Sequence, residues 1–430
     1  MAVRDNRRVT DIIDELQWRG LIALSTDLDL LRADFARGPV TYYCGFDPTA
    51  PSLHFGNLLQ LVTMRRLQSA GNFPLALVGG ATGLIGDPNP GTERTLNAPD
   101  VVASWVDLIK KQVGPLLDFE GPFAARMVNN LDWTASLSAI DFLRDIGKHF
   151  RVNTMVKKDV VTARMNSDVG ISYTEFSYQI LQGMDFLELY RRYGCRLQTG
   201  GSDQWGNLTA GIDLIHRAEG ASVHLLATPL ITDSAGNKIG KSTGGGSVWL
   251  SPELTSPYAF YQYFVNVEDA SVSQLLRTLT FLERDEIVEL EKETAEHPAA
   301  RAGQRRLAEE VTRLVHGQHE TAQVIAASQA LFGRGSLADL APSTLRAALN
   351  EAGLLTVTGE LPPVAALLKE SGLVASMNEA RRAIADGGAY INNTRVTDPE
   401  QIVEPVDLLH GKWLVLRRGK KTIAGVEVAS

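Results

Sequence analysis

The first half of the chain alternates short β-rich runs with helical stretches, and no other feature of the sequence limits the fold as strongly. The predicted order is strand, helix, strand, helix, strand, over residues 40–46, 58–69, 74–78, 99–117 and 126–128. Strands separated by helices of this length predict a parallel, doubly wound α/β sheet. Ligands of such sheets bind beyond the carboxyl ends of the strands. We therefore expect the functional residues in the turns at 45–57, 79–88 and 199–206.

The pattern changes after residue 252, so the 430-residue chain is predicted to contain three domains. Residues 1–251 would form the α/β domain, and the helical period of residues 252–352 predicts an all-α domain. The stretch 353–361 contains two Gly residues, is followed directly by Pro362 and Pro363, and is interpreted as a linker. Residues 362–430 are predicted to form a small α+β domain, with helices near 364–368 and 378–385 and strands near 389–392 and 412–418.

Composition excludes several classes of protein. The 50 acidic and 42 basic residues give a net charge of −8, whereas a protein that coats nucleic acid is strongly basic. Cys44 and Cys195 are too few for a disulfide framework and suit a reducing compartment. The amino terminus is charged where a signal peptide would be apolar, and no run of about 18 apolar residues occurs. We expect a soluble, cytoplasmic protein that does not span a membrane.

The charge is unevenly distributed along the chain. Residues 361–430 contain nine Lys and Arg against eight Asp and Glu, which leaves −9 on the first 360 residues. Residues 412–421 hold five positive charges and no acid. This run is compatible with a solvated edge strand that has a basic tip, and also with a surface that contacts phosphates. Charge alone leaves both interpretations open.

A Gly-rich segment near the end of the α/β domain carries two lysines and a hydroxyl, in Lys238, Lys241 and Ser242. With Ala235 it matches a relaxed P-loop, but a P-loop needs a helix directly after its Lys-Ser pair. Three consecutive glycines at 244–246 will not start a helix, so the P-loop interpretation fails because the required helix is missing. The segment is either a loop that closes over a polyphosphate or an exposed loop with ordinary lysines.

Two other turns carry residues suited to a nucleotide. In the first, His54 lies at a helix start, where it can donate to phosphate oxygens, and Gly56 lets a planar ring approach the backbone. In the second, Gly200 and Gly201 stand beside Asp203, whose carboxylate can accept ribose hydroxyls. Each turn could equally be an ordinary helix cap.

The order of these motifs is more specific than any one of them. An HFGN turn at 54–57, GGSDQWGN at 200–207 and KIGKS at 238–242 follow one another along the chain. The set resembles the class I aminoacyl-tRNA synthetases, whose signatures are written HIGH and KMSKS. Within that class the chain is similar to the bacterial tyrosyl-tRNA synthetases through YCGFDPT at 43–49, VGGATGLIGDP at 78–88, YTEFSY at 173–178 and LQGMD at 181–185. This resemblance spans nearly the whole chain and implies a Rossmann-like catalytic domain, an all-α anticodon-binding domain and a small α+β RNA-binding domain.

The resemblance implies ATP-dependent attachment of L-tyrosine to tRNA(Tyr) through a tyrosyl-adenylate, with release of pyrophosphate. A carboxylate is already a nucleophile, so the first step needs positioning and charge neutralisation rather than a general base. The catalytic residues implied by the resemblance are Thr49, His54, Asn57, Lys238, Lys241 and Ser242. Those implied to bind ATP are Gly45, Asp47, His54, Gly56, Gly201, Asp203, Gln204 and Lys241. Mg²⁺ is expected to arrive with ATP, without a dedicated protein metal site.

The resemblance also implies a tyrosine pocket. Tyr43 and Asp185 would bind the phenol hydroxyl, and Asp87, Tyr178 and Gln182 would hold the ammonium group. The chain departs from the family in two places. Asn57 replaces the second His of HIGH, so it can donate from its amide but carries no charge. Residues 89–92 lack the lysines that many relatives have there, which leaves Arg94 as a possible phosphate or tRNA contact.

The last domain resembles a small RNA-binding domain first known from a ribosomal protein. The positions that match its phosphate-contacting residues are Arg381, Arg382, Arg417, Arg418, Lys420 and Lys421. A homodimer is expected from the family. Three alternatives remain: a tryptophanyl-tRNA synthetase, a P-loop-like ATPase, and a non-catalytic RNA-binding protein with a synthetase-like core. Tyr43 and Asp185 argue against the first, because an indole offers only a donor.

Overall fold

The computed structural model describes residues 11–88, 95–232, 246–419 and 422–429. These residues form two compact units. The first unit contains residues 1–254 and 268–303, and the second contains residues 255–267 and 304–430. The predicted domain boundaries at 251, 352 and 361 stay predictions. None of the described helices has the length and apolarity needed to cross a membrane.

The first unit is built on a six-stranded sheet with the order β1-β6-β5-β2-β3-β4. Its strands are β1 (Leu24–Ser25), β2 (Thr41–Phe46), β3 (Phe73–Val78), β4 (Arg126–Asn129), β5 (Leu197–Gly201) and β6 (His224–Thr228). Strands β2 to β6 pair in parallel, and only the short β1 is antiparallel to its neighbour. The predicted doubly wound α/β fold is therefore confirmed. The chain runs outward from β2 to β4 and returns to β5 on the other side of β2, so the topological switch point lies between β2 and β5.

Helices surround this sheet. They are α1 (Ile12–Trp18), α2 (Leu28–Arg37), α3 (Phe55–Ser69), α4 (Pro99–Val113), α5 (Leu131–Thr134), α6 (Ala139–Asp141), α7 (Val152–Met155), α8 (Asp159–Met165), α9 (Tyr173–Tyr193) and α10 (Trp205–Glu219), with α12 (Asp269–Leu279) and α13 (Arg284–Glu296) further along the chain. Helix α3 begins three residues before its predicted start, because His54 caps it. Helix α4 ends at Val113, four residues before its predicted end, in a short 3₁₀ turn.

Two buried arginines fix the α12–α13 hairpin to the rest of the first unit. Arg19 donates to three carbonyl oxygens at 3.0, 3.2 and 2.8 Å, those of Arg277, Thr280 and Leu282. Arg66, on α3, donates to the Thr280 carbonyl as well. Carbonyls at a helix end lack intrahelical partners, and the helix dipole favours cations there. Helix α3 is thus held at the end opposite to its first turn.

The second unit combines helices with a five-stranded sheet of order β7-β11-β10-β8-β9. The strands are β7 (Leu354–Thr358), β8 (Ala389–Ile391), β9 (Thr394–Arg395), β10 (Trp413–Arg418) and β11 (Thr422–Ala429). The helices are α11 (Pro257–Val265), α14 (Ala302–Ala330, kinked at Gly317), α15 (Pro342–Ala352), α16 (Val364–Glu370) and α17 (Met377–Ala385). One face of the sheet packs on α16 and α17 around a core that includes Leu368, Ile384 and Leu416.

The other face of this sheet packs on α15. A Cβ at Gly425 would lie 2.7 Å from Leu349 Cβ, so glycine permits the close approach of strand and helix. The segment 353–361, predicted to be a linker, contains β7. This strand pairs in parallel with β11 over five residue pairs, from Leu354 with Gly425 to Thr358 with Ala429. The predicted linker is therefore largely an edge strand of the sheet.

Candidate active site

A cavity of about 450 Å³ opens at the carboxyl ends of β2 and β5, where the topological switch point predicts a ligand site. It brings together every described residue that the sequence predicted for tyrosine, ATP or catalysis. These are Tyr43, Gly45, Asp47, Thr49, His54, Gly56, Asn57, Asp87, Tyr178, Gln182, Asp185, Gly201, Asp203 and Gln204. Lys238, Lys241, Ser242 and Arg94 lie outside the described residues.

The most buried part of the cavity contains Tyr43 and Asp185, which are 1% and 2% exposed. Asp185 accepts hydrogen bonds from Asn130 Nδ2 and Trp133 Nε1, both at 2.9 Å. Burial raises the pKa of Asp185 to about 7, although these two donors oppose the shift. The buried Tyr43 hydroxyl has no hydrogen-bond partner among the described residues. An unsatisfied buried hydroxyl is costly, so this end of the cavity suits a ligand with a polar tip.

A chain of hydrogen bonds joins Asp185 to the carboxylate of Asp47. Asn130 Nδ2 contacts the Thr82 hydroxyl at 3.0 Å, and that hydroxyl donates to Asp47 Oδ1 at 2.6 Å. Tyr178 donates to Asp47 Oδ2 at 2.7 Å. Each oxygen of the Asp47 carboxylate therefore has a donor, which fixes its orientation. Burial and the nearby carboxylates, Asp47 first among them, raise the pKa of Tyr178 well above its usual value.

Sequence reasoning missed Thr82, Asn130 and Trp133 as members of this chain. Thr82 lies within the motif at 78–88, but the motif does not indicate that its hydroxyl binds Asp47. Asn130 and Trp133 follow β4 and belong to no motif. Only the position of β4 beside β3 carries them to the cavity.

The hydrogen-bonded Asp47 and Thr82 leave no room for a side chain at Gly79. A Cβ at this position would overlap the Asp47 carboxylate and the Thr82 hydroxyl. Both groups are held by hydrogen bonds, so neither is a free side-chain end that could move aside cheaply. The glycine that follows β3 therefore sets how closely Asp47 approaches the loop.

Asp87 is held at another side of the cavity. It accepts from Asn207 Nδ2 at 2.9 Å and from Gln204 Nε2 at 3.2 Å. Both partners lie in the string at 200–207, so two distant motifs meet through these bonds. Asn207 also lies in this motif, but the sequence alone does not indicate its contact with Asp87.

The first turn of α3 forms a capping box at the exposed rim of the cavity. His54 Nδ1 accepts from the Gly56 N–H at 3.0 Å, and Asn57 Oδ1 accepts from the His54 N–H at 3.0 Å. A Cβ at Gly56 would lie 2.9 Å from His54 Cε1, which explains glycine there. Asn57, the departure from HIGH, thus has a defined local partner. Its contact with a ligand stays a prediction.

The predicted RNA-contacting arginines differ in whether they already form ion pairs or hydrogen bonds with other residues of the second unit. Arg418 bonds Glu379 at 2.7 Å and the Leu373 carbonyl at 3.1 Å. Arg381 pairs with Glu400 at 3.2 Å. Arg417 lies 3.9 Å above the centroid of the Tyr390 ring, and Arg382 is exposed. Lys420 and Lys421 lie outside the described residues.

Comparisons with known proteins agree with this geometry. The family described as tRNA synthetases class I (W and Y) matches residues 36–333, and the Tyrosine--tRNA ligase SYY-like C-terminal domain matches residues 345–424. The tyrosine–tRNA ligase of Streptomyces avermitilis is 65% identical, covering 98% of this chain and 99% of the relative. That of Acidothermus cellulolyticus is 60% identical, covering 98% and 100%.

Solved structures give the same result. The C-terminally truncated mitochondrial tyrosyl-tRNA synthetase of Coccidioides posadasii superposes with a TM-score of 0.65 at 31% identity, covering 73% of this chain and 91% of that one. The corresponding Aspergillus nidulans structure has a TM-score of 0.69 at 29% identity, covering 76% and 95%. The cavity lies at the topological switch point of a parallel sheet. Together with these matches, this position defines the chain as a class I aminoacyl-tRNA synthetase.

Within that class the chain belongs to the tyrosine–tRNA ligase family. Members of this family attach L-tyrosine to tRNA(Tyr) with ATP, in two steps through an adenylate. The predicted activity and enzyme class are confirmed, and the three alternatives are set aside.

Proposed function

We propose that the cavity holds tyrosine at its buried end and ATP toward the first turn of α3. The observation that carries this proposal is the unpartnered Tyr43 hydroxyl beside the fixed carboxylate of Asp185. Burial, with a further contribution from the charge of Asp185, raises the pKa of Tyr43 well above its usual value, so its hydroxyl stays protonated. A substrate phenol can donate to Asp185 and accept from Tyr43, which satisfies all three groups.

At the other end of the amino acid, the ammonium group would contact Asp87, Tyr178 and Gln182. Asp87 supplies negative charge, and the Tyr178 hydroxyl can accept because its proton is given to Asp47. The buried Gln182 Oε1 has no partner among the described residues and is a further acceptor. Three acceptors suit the three N–H donors of an ammonium group.

In the first step, an oxygen of the tyrosine carboxylate would attack the α-phosphorus of ATP, and the bond to the bridging oxygen of pyrophosphate breaks. We propose that Thr49 and His54, together with Lys238, Lys241 and Ser242, stabilise the leaving pyrophosphate. Gly45, Asp47, Gly56, Gly201, Asp203 and Gln204 would surround the adenosine and the α-phosphate. Asn57 would donate to the ribose from its amide. No residue needs to act as a general base, since the nucleophile is already ionised.

We propose that Mg²⁺ enters on the phosphates of ATP. Among the described residues no group of three His, Cys, Asp or Glu side chains could hold a metal ion. We also propose a cytoplasmic location, where tRNA is used and where the free, buried Cys44 and Cys195 stay reduced.

The experiment that tests the proposed use of the cavity is exchange of labelled pyrophosphate into ATP, measured with tyrosine, tryptophan and phenylalanine. Exchange should depend on tyrosine, because only a phenol satisfies both Tyr43 and Asp185. Phenylalanine would leave the Tyr43 hydroxyl unpaired and would offer Asp185 no phenol donor. Tyrosyl-tRNA synthetases are the standard example of a site that rejects a substrate lacking a hydroxyl group for this reason. Exchange driven by tryptophan or phenylalanine at a similar rate would contradict the proposal.

Tyrosine affinity should fall as the pH is lowered through the pKa of Asp185, which is about 7. Below this pH the carboxyl group is protonated and accepts the phenol proton less strongly. The ionised fraction is about tenfold smaller at pH 6 than at pH 8, so the Kd for tyrosine should rise about tenfold. Equilibrium titration of intrinsic fluorescence measures this Kd. Binding of a non-hydrolysable ATP analogue is the control and should change much less, and a flat tyrosine Kd would contradict the role of Asp185.

We propose that the enzyme is a homodimer. Seven large apolar side chains in residues 131–173 are 38–69% exposed, namely Leu131, Ile140, Leu143, Val152, Met165, Val169 and Tyr173. Such a concentration of exposed apolar side chains is typical of an interface. Tyr173→Arg should shift the sedimentation coefficient toward that of a monomer at micromolar concentration. Val406→Arg, at an equally apolar and 83% exposed position in the second unit, is the control. An unchanged dimer in Tyr173→Arg and Ile140→Arg would contradict this surface.

A further inference from the structure

The segment that follows the KIGKS motif in the sequence pairs with the entry to α3. The Phe55 N–H donates to the Val248 carbonyl at 3.0 Å, and the Leu250 N–H donates to the Leu53 carbonyl at 2.9 Å. These two bonds form a narrow antiparallel ladder, and all four residues are buried. The backbone on both sides of His54 is therefore held by a part of the chain that is distant in sequence.

Two side chains hold the residues just before His54 as well. The Ser52 hydroxyl accepts from the Ser251 N–H at 3.0 Å. Gln112, on α4, accepts from the Leu53 N–H through its Oε1 at 2.8 Å. Ser52 and Ser251 are both buried, so these bonds are shielded from water. The backbone position of His54 is thus fixed, and the orientation of its ring remains to be set.

That ring lies between two partners. His54 and Trp249 stand opposite each other in the ladder, as a pair that does not exchange backbone hydrogen bonds, and side chains approach most closely in such pairs. Their ring centroids are 6.4 Å apart and their planes are inclined by 59°, which is a favourable aromatic arrangement. On its other side the imidazole accepts from the Gly56 N–H through Nδ1. Because Nδ1 is an acceptor, the proton of the neutral ring lies on Nε2, which is therefore a donor.

Resting on the proposed function, in which His54 stabilises the leaving pyrophosphate, we propose that Trp249 is a positioning residue for His54. The indole fixes the tilt of the imidazole, and the Gly56 N–H fixes its tautomer. The Nε2 donor is then oriented before the substrates bind, so no reorganisation is needed as charge develops on the pyrophosphate. Trp249 lies outside the signature motifs and acts through His54 without having to contact the nucleotide.

The test measures pyrophosphate exchange with tyrosine, ATP and pyrophosphate each varied in turn. Trp249→Ala should lower kcat about tenfold. The KM for tyrosine should be nearly unchanged, because Tyr43 and Asp185 lie at the buried end of the cavity. Trp249→Phe keeps a ring against His54 and should retain most of kcat. Trp249→Leu fills much of the space without a flat ring and should lose as much as Trp249→Ala, so the test stands even if the alanine variant does not fold.

Trp413→Ala is the matched control. Trp413 forms the same kind of pair in the second unit, where its ring centroid lies 6.2 Å from that of His410 with an inclination of 71°. Every residue that lines the cavity belongs to the first unit, so loss of this indole should leave exchange unchanged. A loss in Trp413→Ala as large as that in Trp249→Ala would mean a general effect of removing a tryptophan, and it would overturn the proposal.

A double-mutant cycle shows whether Trp249 acts through His54. His54→Ala should lower kcat, and adding Trp249→Ala to it should cost little more, because the indole then has no imidazole to orient. Additive losses, or a wild-type kcat in both Trp249→Ala and Trp249→Leu, would overturn the positioning role. An unchanged kcat in His54→Ala would instead contradict the proposed function, since that variant removes the group assigned to the pyrophosphate.

Discussion

Replacing Asp185 by asparagine is expected to lower kcat/KM for tyrosine in pyrophosphate exchange by about 100-fold. A hydrogen bond to a charged acceptor contributes about 1.5–3 kcal/mol, and Asp185 is the charged acceptor that we assign to the phenol. The amide of Asp185→Asn would also face the donors Asn130 and Trp133, which now bond the carboxylate. The decrease in kcat/KM should therefore be large when tyrosine is the varied substrate and small when ATP is varied.

Glu188→Gln is the control for Asp185→Asn. Glu188 lies one turn further along α9, is 19% exposed and pairs with Arg192 at 2.9 Å, so its loss should change exchange only slightly. If Asp185→Asn kept the wild-type kcat/KM for tyrosine, Asp185 would not contact the phenol. If it lost tyrosine and ATP affinity equally, the residue would have a general structural role.

Gly79→Ala is expected to reduce exchange by about 100-fold through steric displacement of Asp47. The added Cβ would overlap the Asp47 carboxylate and the Thr82 hydroxyl, so the bonds from Thr82 and Tyr178 to Asp47 would be lost or distorted. A misplacement of about 1 Å in a positioning group can cost about 10²-fold. Steady-state exchange with varied ATP and varied tyrosine measures the effect on each substrate.

Gly114→Ala is the matched control for this glycine. It adds the same methyl group at a helical backbone position with φ of −47°, where a Cβ would have no neighbour within 4 Å. Wild-type exchange by Gly79→Ala would mean that the position of Asp47 does not limit the reaction. The thermal unfolding midpoints of both variants show whether Gly79→Ala is still folded at the assay temperature, so that its loss of activity is not caused by unfolding.

The sequence predicts those parts of the fold and cavity that depend on local pattern. The strands β2 and β3 and the turn at His54 follow from short runs of neighbouring residues, and the structure brings Tyr43 and Asp185 to one cavity as expected. The alternation of strands and helices also predicts the doubly wound sheet. These features share a cause, because each is encoded within a few residues.

What the sequence could not predict depends on contacts between distant segments. Asn130 reaches Thr82 across 48 positions, and Tyr178 reaches Asp47 across 131. Arg19 binds carbonyls more than 250 positions away, which groups the α12–α13 hairpin with the sheet. Neither neighbouring residues nor periodicity carry such information. Alternation along the predicted strand places the adjacent Arg417 and Arg418 on opposite faces, but only the strand pairing shows that Arg417 lies opposite Tyr390.

The pairing of β7 with β11 has a consequence for truncating the chain. A fragment that starts at residue 362, where composition suggests the last domain begins, would lack β7 and leave one side of β11 without its partner. That side would present a row of unpaired N–H and C=O groups over Gly425 to Ala429, which is a template for edge-to-edge aggregation. A soluble fragment of the last domain therefore has to include β7, which lies within the segment that composition marks as a linker.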